Sequence, residues 1–359
     1  MTTPQTLIIA EAGVNHNGSI DLALQLVDAA AQAGADFVKF QTFKADRLAT
    51  SAAPKAEYQK TTTGTQESQL EMLRKLELSD GDHQTLIAHC KRRGIRFLSS
   101  PFDVESLQFL AKDLALDVIK IPSGEITNSF LLLEAARSDR QLILSTGMAS
   151  LEEIEAALSV LAFGYLKTTD KPNRAAFHAA YQNAAARTKL RERVTLLHCT
   201  TEYPAPLDDI HLQAMDVMRS RFDLTVGYSD HTPGLTVTIA AVARGARVIE
   251  KHLTLNRELP GPDHKASLEP DAFALLVQSV RDVERALGKP IKECQPSETK
   301  NRQIARKGLY ASADIAQGEL LTAQNLTMKR PVAGKSAFDY WDVLGTPAPR
   351  PISKGEPLQ

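Results

Sequence analysis

One rhythm constrains this chain more than any other feature. Over the first 252 residues, short apolar runs repeatedly end in a burst of polar and charged residues. Leu7-Ile8-Ile9-Ala10 ends at Glu11, and Phe37-Val38 leads into Lys39, Phe40 and Gln41. Phe97-Leu98 ends at Ser99-Ser100, Val118-Ile119 at Lys120, Leu142-Ile143-Leu144 at Ser145-Thr146, and Leu196-Leu197 at His198-Cys199-Thr200. Leu224-Thr225-Val226 is followed by Ser229-Asp230-His231, and Val248-Ile249 by Glu250-Lys251-His252. Apolar runs this short, separated by amphipathic stretches, read as buried parallel strands alternating with helices. About eight such units is the count of a TIM (β/α)8 barrel, whose active sites lie at the carboxyl ends of the strands. Those ends are where Glu, Lys, Gln, Ser and His collect here.

Such a barrel takes roughly 250 residues, so a chain of 359 leaves room for an insertion and a second domain. The expected division is a catalytic barrel over 1–287, a linker over 288–298 and a small, mostly β module over 299–359. Residues 44–70 are polar and weakly patterned and read as a long βα loop over the active-site face. Residues 164–193 read as an insertion with its own helix. Gly288-Lys289-Pro290 and Cys294-Gln295-Pro296-Ser297 carry the turn chemistry of a linker. The tail is rich in turns, such as Gln317-Gly318-Glu319 and Ala333-Gly334-Lys335. A module of that size has a marginal core alone, so it is expected to pack on the barrel or on a partner subunit.

A net charge of −1 gives no reason to expect nucleic acid or an anionic membrane as partner. No apolar stretch approaches the roughly 20 residues of a membrane span. The three widely spaced cysteines, Cys90, Cys199 and Cys294, form neither a disulfide framework nor a zinc pattern. The N-terminus lacks the marks of a signal peptide. These features lead to the expectation of a cytoplasmic protein with reduced thiols.

His231 and His252 end the last two strands, about 4.8 Å apart if those strands are neighbours. Two imidazoles with water and substrate oxygens suit Mn²⁺, or a similar divalent ion such as Mg²⁺ or Co²⁺; each could instead pack or cap a loop. Lys39 and Lys120 lie inside apolar runs and point to one barrel mouth, where a lysine needs an anion. With Ser100, Ser123 and Ser145 they make a cradle for phosphate and carboxylate. Glu125, in Pro122-Ser123-Gly124-Glu125, is placed either to act as general acid or base toward water or to cap the next helix. Glu11 and Gln41 could bond substrate hydroxyls. Gly261-Pro262-Asp263-His264-Lys265 either presents Asp263 to the site or is a plain turn.

These stretches also resemble a known family. Ile9-Ala10-Glu11-Ala12-Gly13-Val14-Asn15-His16-Asn17-Gly18 is similar to the opening of the sialic acid synthases. So are Val38-Lys39-Phe40-Gln41-Thr42, Lys120-Ile121-Pro122-Ser123-Gly124-Glu125 and Leu144-Ser145-Thr146-Gly147-Met148. The likeness continues in order through His198-Cys199-Thr200-Thr201-Glu202-Tyr203-Pro204, Gly227-Tyr228-Ser229-Asp230-His231-Thr232, Glu250-Lys251-His252 and Pro260-Gly261-Pro262-Asp263-His264-Lys265. The tail, with Lys329-Arg330-Pro331, resembles the antifreeze-like domain those synthases carry.

The resemblance implies condensation of phosphoenolpyruvate with an N-acyl hexosamine, releasing phosphate and a nine-carbon 2-keto acid. It assigns Mn²⁺ or a similar ion to His231 and His252. It assigns the phosphate and carboxylate of phosphoenolpyruvate to Lys39, Ser100, Lys120, Ser123, Ser145 and Ser229. Glu125 would handle the proton of the attacking water, while Glu11, Gln41, Tyr203 and Asp263 would hold the sugar. Glu125, Lys120 and Glu11 are the candidate catalytic residues. The resemblance further implies a domain-swapped homodimer in which Arg330 reaches the sugar of a second subunit; about 11 extended linker residues would span roughly 35 Å. The acceptor is left open between N-acetylmannosamine and 2,4-diacetamido-2,4,6-trideoxymannose. A competing enzyme reading is a Schiff-base aldolase with Lys120 or Lys251 as nucleophile. A non-enzymatic reading, an ice-binding tail, leaves the barrel unexplained.

Overall fold

The computed structural model describes residues 5–64 and 67–359. The chain divides into two compact units, Met1–Gly288 and Lys289–Gln359.

The first unit is built on eight parallel strands: β1 (Leu7–Gly13), β2 (Phe37–Thr42), β3 (Arg96–Pro101), β4 (Val118–Ile121), β5 (Gln141–Ser145), β6 (Val194–His198), β7 (Thr225–Asp230) and β8 (Val248–His252). Their ladder runs β3-β2-β1-β8-β7-β6-β5-β4. The ring is therefore nearly closed, with β3 and β4 at its two ends. Helices cross back between successive strands, as parallel pairing requires. This is the TIM barrel that the rhythm of apolar runs predicts.

Strand alternation sorts the side chains into layers. Ile8, Ala10, Val38, Ile119, Leu142, Leu144, Val226 and Ile249 face outward into the main core between strands and helices. Ile9, Phe37, Leu98, Ile143, Leu197 and Val248 face inward and form a separate apolar cluster that fills the barrel. Gly227 belongs to this plug, because a Cβ there would stand 2.3 Å from the Val248 carbonyl oxygen and 2.7 Å from a Leu197 methyl. Two residues further along the same inward face come Glu11, Lys39, Ser100, Lys120, Ser145, Cys199, Ser229 and Glu250. The functional layer thus stands on a dry floor.

The segment between β2 and the helix Asp80–Arg93 contains three short helices, Ala45–Leu48, Glu57–Thr63 and Gln69–Leu76. Residues 164–193 hold two helices rather than one. After the helix Leu151–Leu166 come Arg174–Gln182 and Ala184–Arg193, separated by Asn183, whose side-chain Oδ1 accepts from Ala185 N and Ala186 N and caps the second. Ala180, Tyr181, Ala186 and Leu190 are buried in the main core, and Phe177 meets Phe163 edge-on at 5.2 Å. The segment thickens the helical layer, and none of its residues lines the cavity at the strand ends.

The second unit has its own small core of Leu309, Ala311, Ile315, Leu321, Leu326, Val343, Ala348, Ile352 and Leu358. Strands β9 (Gly308–Ala311) and β10 (Leu326–Lys329) pair antiparallel within it. The helix Thr299–Ala305 precedes them.

Candidate active site

The carboxyl ends of the strands enclose a cavity of about 400 Å³. A larger hollow of about 600 Å³ lies outside the barrel, among Ser129, Glu152, Arg174 and Arg221, and contains none of the strand-end residues. The chemistry is concentrated in the smaller one.

Lys39 and Lys120 both project into it and are almost wholly buried. Lys39 Nζ is 2.9 Å from Glu11 Oε2 and 3.6 Å from Glu250 Oε2, and donates to Ser100 Oγ at 3.2 Å. Lys120 Nζ is 3.5 Å from Glu250 Oε1, which also accepts from Ser229 Oγ at 3.1 Å. Glu250 therefore bridges the two lysines from across the barrel. Burial opposes its charge, but Lys120 and then Lys39 overcome this and hold its carboxyl at about 2. Burial also opposes the charge on Lys39, which Glu11 and Glu250 keep above the ordinary lysine range. For Lys120 burial prevails, and its pKa falls despite Glu250. Burial pushes the Glu11 carboxyl up to about 7, against the pull of Lys39.

His231 and His252 stand with ring centroids 5.6 Å apart. His231 Nδ1 lies 2.6 Å from the Thr200 carbonyl, so that nitrogen carries the proton and Nε2 is left with a lone pair. His252 Nδ1 is buried without a hydrogen-bond partner, and Asp263 Oδ2 is 4.0 Å away. Burial holds His231 neutral, with a pKa of about 4. Burial and then His231 itself press His252 well below the ordinary histidine range. Neutral imidazoles with free lone pairs are the form that binds a divalent ion. Among the described residues no group of three or more His, Cys, Asp or Glu is placed to hold a metal. The protein would thus supply two ligands and leave the other positions to water and substrate oxygens, which the chemistry of this donor set fits.

Tyr203 stacks obliquely on His231 at 4.2 Å and meets His252 edge-on at 5.5 Å. Gln41, Ser123, Ser145 and Asp263 complete the polar lining. Burial raises the Asp263 carboxyl to about 6. Ser123 Oγ accepts from Gly147 N at 3.0 Å and lies 3.2 Å from Cys199 Sγ. Ser145 Oγ, Thr201 Oγ1 and His252 Nδ1 are buried without hydrogen-bond partners, while Glu11 Oε2 and Glu250 Oε2 meet the Lys39 ammonium. Unsatisfied polar atoms are rare in folded proteins. Three in one cavity mark a place built for a polar ligand.

Two expectations change. Glu125, on the turn Ser123–Glu125 after β4, does not line the cavity. Its Oε2 accepts from Asn128 Nδ2 at 2.7 Å, and Asn128 in turn caps the helix Ser129–Arg137. Lys251 cannot serve as a Schiff-base nucleophile, because strand alternation turns it to the outer face. There it is fully buried, 2.9 Å from Asp230 Oδ2, and it also donates to the Thr232 carbonyl oxygen. Arg330 lies just after β10 in the second unit and is exposed. Glu250, the bridge between the lysines, carried no role in the sequence reading. The available signal was its place two residues before His252 on one strand, which puts both on one face.

Residues 26–292 match the NeuB family and residues 306–359 the SAF domain. The chain belongs to the NeuB family. It is 49% identical over 352 residues to the N,N'-diacetyllegionaminic acid synthase of Campylobacter jejuni, covering 98% of both chains. It is 42% identical to the protein of the same name from Legionella pneumophila, covering 98% of this chain and 92% of that one. A crystal structure of N-acetylneuraminic acid (sialic acid) synthetase from Leptospira borgpetersenii, in complex with citrate, superimposes with a TM-score of 0.66 at 32% identity. That alignment covers 83% of this chain and 90% of the other. Membership of this family also accounts for the order of motifs from Glu11 to Asp263.

The Asp230–Lys251 pair underpins the histidines chemically as well as in sequence. Asp230 Oδ1 accepts from Thr232 N at 2.8 Å, and Oδ2 accepts from Thr238 Oγ1 at 2.6 Å. Asp230 and Lys251 are register partners on β7 and β8. Each adjoins a histidine that faces the other way. Removing one member of a buried pair strands the other, at a cost of about 3–5 kcal/mol. Lys251→Met should therefore lower stability by about that amount in urea unfolding. An unchanged unfolding midpoint would mean the pair is not holding these strand ends.

Proposed function

We propose that this chain condenses phosphoenolpyruvate with an N-acyl hexosamine and water, giving a nine-carbon 2-keto acid and phosphate. The observation that carries the reading is two buried lysines and two neutral histidines converging on one cavity, in which Ser145 Oγ, Thr201 Oγ1 and His252 Nδ1 have no hydrogen-bond partner. A polyanion needs buried cations, and an aldehyde needs an electrophilic partner.

In this reading Lys39 and Lys120 receive the phosphate and carboxylate of phosphoenolpyruvate, with the hydroxyls of Ser100, Ser123, Ser145 and Ser229 around them. C3 of phosphoenolpyruvate forms the new bond to the aldehyde carbon of the open-chain sugar. Water adds at C2, and the C–O bond to phosphate breaks. Glu11, Gln41, Tyr203 and Asp263 hold the sugar's hydroxyls and amide. His231 and His252 would hold a divalent ion, Mn²⁺ by preference with Mg²⁺ or Co²⁺ as alternatives. When bound, that ion polarises the aldehyde as a Lewis acid. Phosphoenolpyruvate as substrate fits a cytoplasmic setting; among the described residues no helix is long and apolar enough to cross a membrane.

Glu125 handles the proton of the attacking water after turning away from Asn128. Its pKa is raised by burial, which suits a group that must both take and return a proton. Glu125→Gln separates this role from that of a cap, because the amide oxygen still accepts from Asn128. The expected result is a kcat lower by about 10²–10⁴ with little change in Tm. A near-normal kcat would leave Glu125 as a partner of the helix cap alone.

We further propose that the second unit of one subunit covers the barrel of another in a domain-swapped homodimer, with Arg330 reaching the partner's sugar. The exposed guanidinium supports this, as do Phe338 and Trp341, exposed by 91% and 78% on the same unit. The test mixes two inactive proteins, His231→Ala and Arg330→Ala. His231→Ala should have lost Mn²⁺ binding as well as turnover. If subunits exchange, mixed dimers regain one complete site and activity returns. No recovery despite demonstrated exchange would place Arg330 outside any shared site.

A further inference from the structure

The hollow of about 600 Å³ outside the barrel takes no part in the reaction proposed above, yet its size is that of a small-molecule site. One wall is the helix Leu151–Leu166. A second is the start of the helix Ser129–Arg137 with the turn before it. A third is the helix Arg174–Gln182, from the inserted segment that contributes nothing to the strand-end cavity. The floor is apolar: Ile126, Leu132, Ala157 and Val160 are buried and line it.

The rim carries charge of both signs, but the two signs are not equally free. Glu153 Oε2 accepts from Ser150 N at 2.8 Å in a capping box. Glu155 Oε2 is 3.0 Å from the Arg221 guanidinium. The Glu152 carboxyl is held below the usual range by its own amide and by the Ser150 hydroxyl. The carboxylates are thus engaged. Facing the hollow from the inserted helix, Arg174, Phe177 and His178 fall at i, i+3 and i+4, which is one helical face. Among the described residues, Arg174 and His178 have no hydrogen-bond or ion-pair partner. The charge left free is therefore positive, and it stands beside the Phe177 ring over an apolar floor.

The hollow also meets the Glu125 turn from behind. Ile126, Thr127 and Ser129 line it, and they flank Asn128, whose Nδ2 donates to Glu125 Oε2 at 2.7 Å. We propose that the hollow is a regulatory site for an organic anion. Its anionic head meets Arg174 and His178, and its aromatic or other apolar body lies against Phe177 and the floor. The hollow has this shape while Glu125 is bonded to Asn128. A ligand packed against Ile126, Thr127 and Ser129 favours that state, holds Glu125 away from the cavity and slows turnover. This coupling rests on the reading of Glu125 given above, whereas the binding site does not.

The probe is 8-anilinonaphthalene-1-sulfonate, an aromatic anion, set against its neutral counterpart N-phenyl-1-naphthylamine. Binding to the full chain is followed by fluorescence for the wild type, Arg174→Glu and Ala156→Trp. Arg174 and Ala156 are exposed, so both variants should keep the wild-type Tm and basal phosphate release. The wild type is expected to show a saturable site that the neutral amine fills about 10-fold more weakly, the scale of one lost charge-assisted contact. Arg174→Glu should weaken binding of the sulfonate by about 10-fold or more, and Ala156→Trp, which fills the hollow, should abolish it. The sulfonate should also lower kcat for phosphate release at saturating phosphoenolpyruvate in the wild type and in neither variant, which separates this site from the lysine cradle. Equal affinity in the wild type and both variants, or equal affinity for the sulfonate and the neutral amine, would overturn the site. Binding that leaves kcat unchanged would overturn its coupling to Glu125. Phosphate release with neither acceptor sugar would instead overturn the reading of the reaction and leave the binding measurement standing.

Discussion

The site depends on Glu250 lying between Lys39 and Lys120. Two ammonium groups at the bottom of a barrel, over a floor of Ile9, Phe37, Leu98, Ile143, Leu197 and Val248, could not both stay charged alone. Glu250 approaches both within 3.6 Å, and Glu11 adds a second carboxylate to Lys39. Two lysines and two carboxylates meet here. The balance is uneven, because Glu250 is held ionised while Glu11 is pushed up to about 7. A proton is therefore easily kept on Glu11. Its neutral form leaves Lys39 with charge to spare for an incoming anion. The cradle is preorganised by Glu250 and made receptive by Glu11.

The same strand ends serve two purposes at once because strand residues alternate. On β7, Ser229 faces the cavity and Asp230 the outer layer. On β8, Glu250 and His252 face in, and Lys251 faces out to meet Asp230. The outward pair fixes the strands against each other with a buried ion pair and the hydroxyls of Thr232 and Thr238. The two inward histidines are thereby positioned without having to hold each other. His252 can keep an unpartnered nitrogen, and His231 needs only the Thr200 carbonyl to set its tautomer.

Much of this was legible in the sequence. Apolar runs that end in polar bursts have one simple physical solution, a parallel barrel with its chemistry at the strand ends, and Lys39, Lys120, Ser145, His231 and His252 fall there. Where the reading missed, long-range geometry decided. Glu250 meets its lysines across the barrel, and no local spacing encodes that. Lys251 looked available because it adjoins His252, although strand alternation already turned it away. Glu125 follows a strand by a turn whose rotation no periodicity specifies, and its side chain goes to Asn128. The break at Asn183 was hidden in an alanine-rich stretch that reads as one helix. The helix Gln69–Leu76 turns Met72, Leu73 and Leu76 toward the cavity rather than toward the main core, which no local spacing encodes.

Direct binding of phosphoenolpyruvate to Lys39→Met and Lys120→Met, set beside the KM of each variant for the sugar, tests the cradle most directly. Each substitution removes a charged hydrogen-bond donor, a contact of about 1.5–3 kcal/mol. Each variant should bind phosphoenolpyruvate roughly 10- to 150-fold more weakly, while the KM for the sugar changes far less. Unchanged affinity for phosphoenolpyruvate, or equal losses for both substrates, would contradict the assignment of these two lysines to the anion.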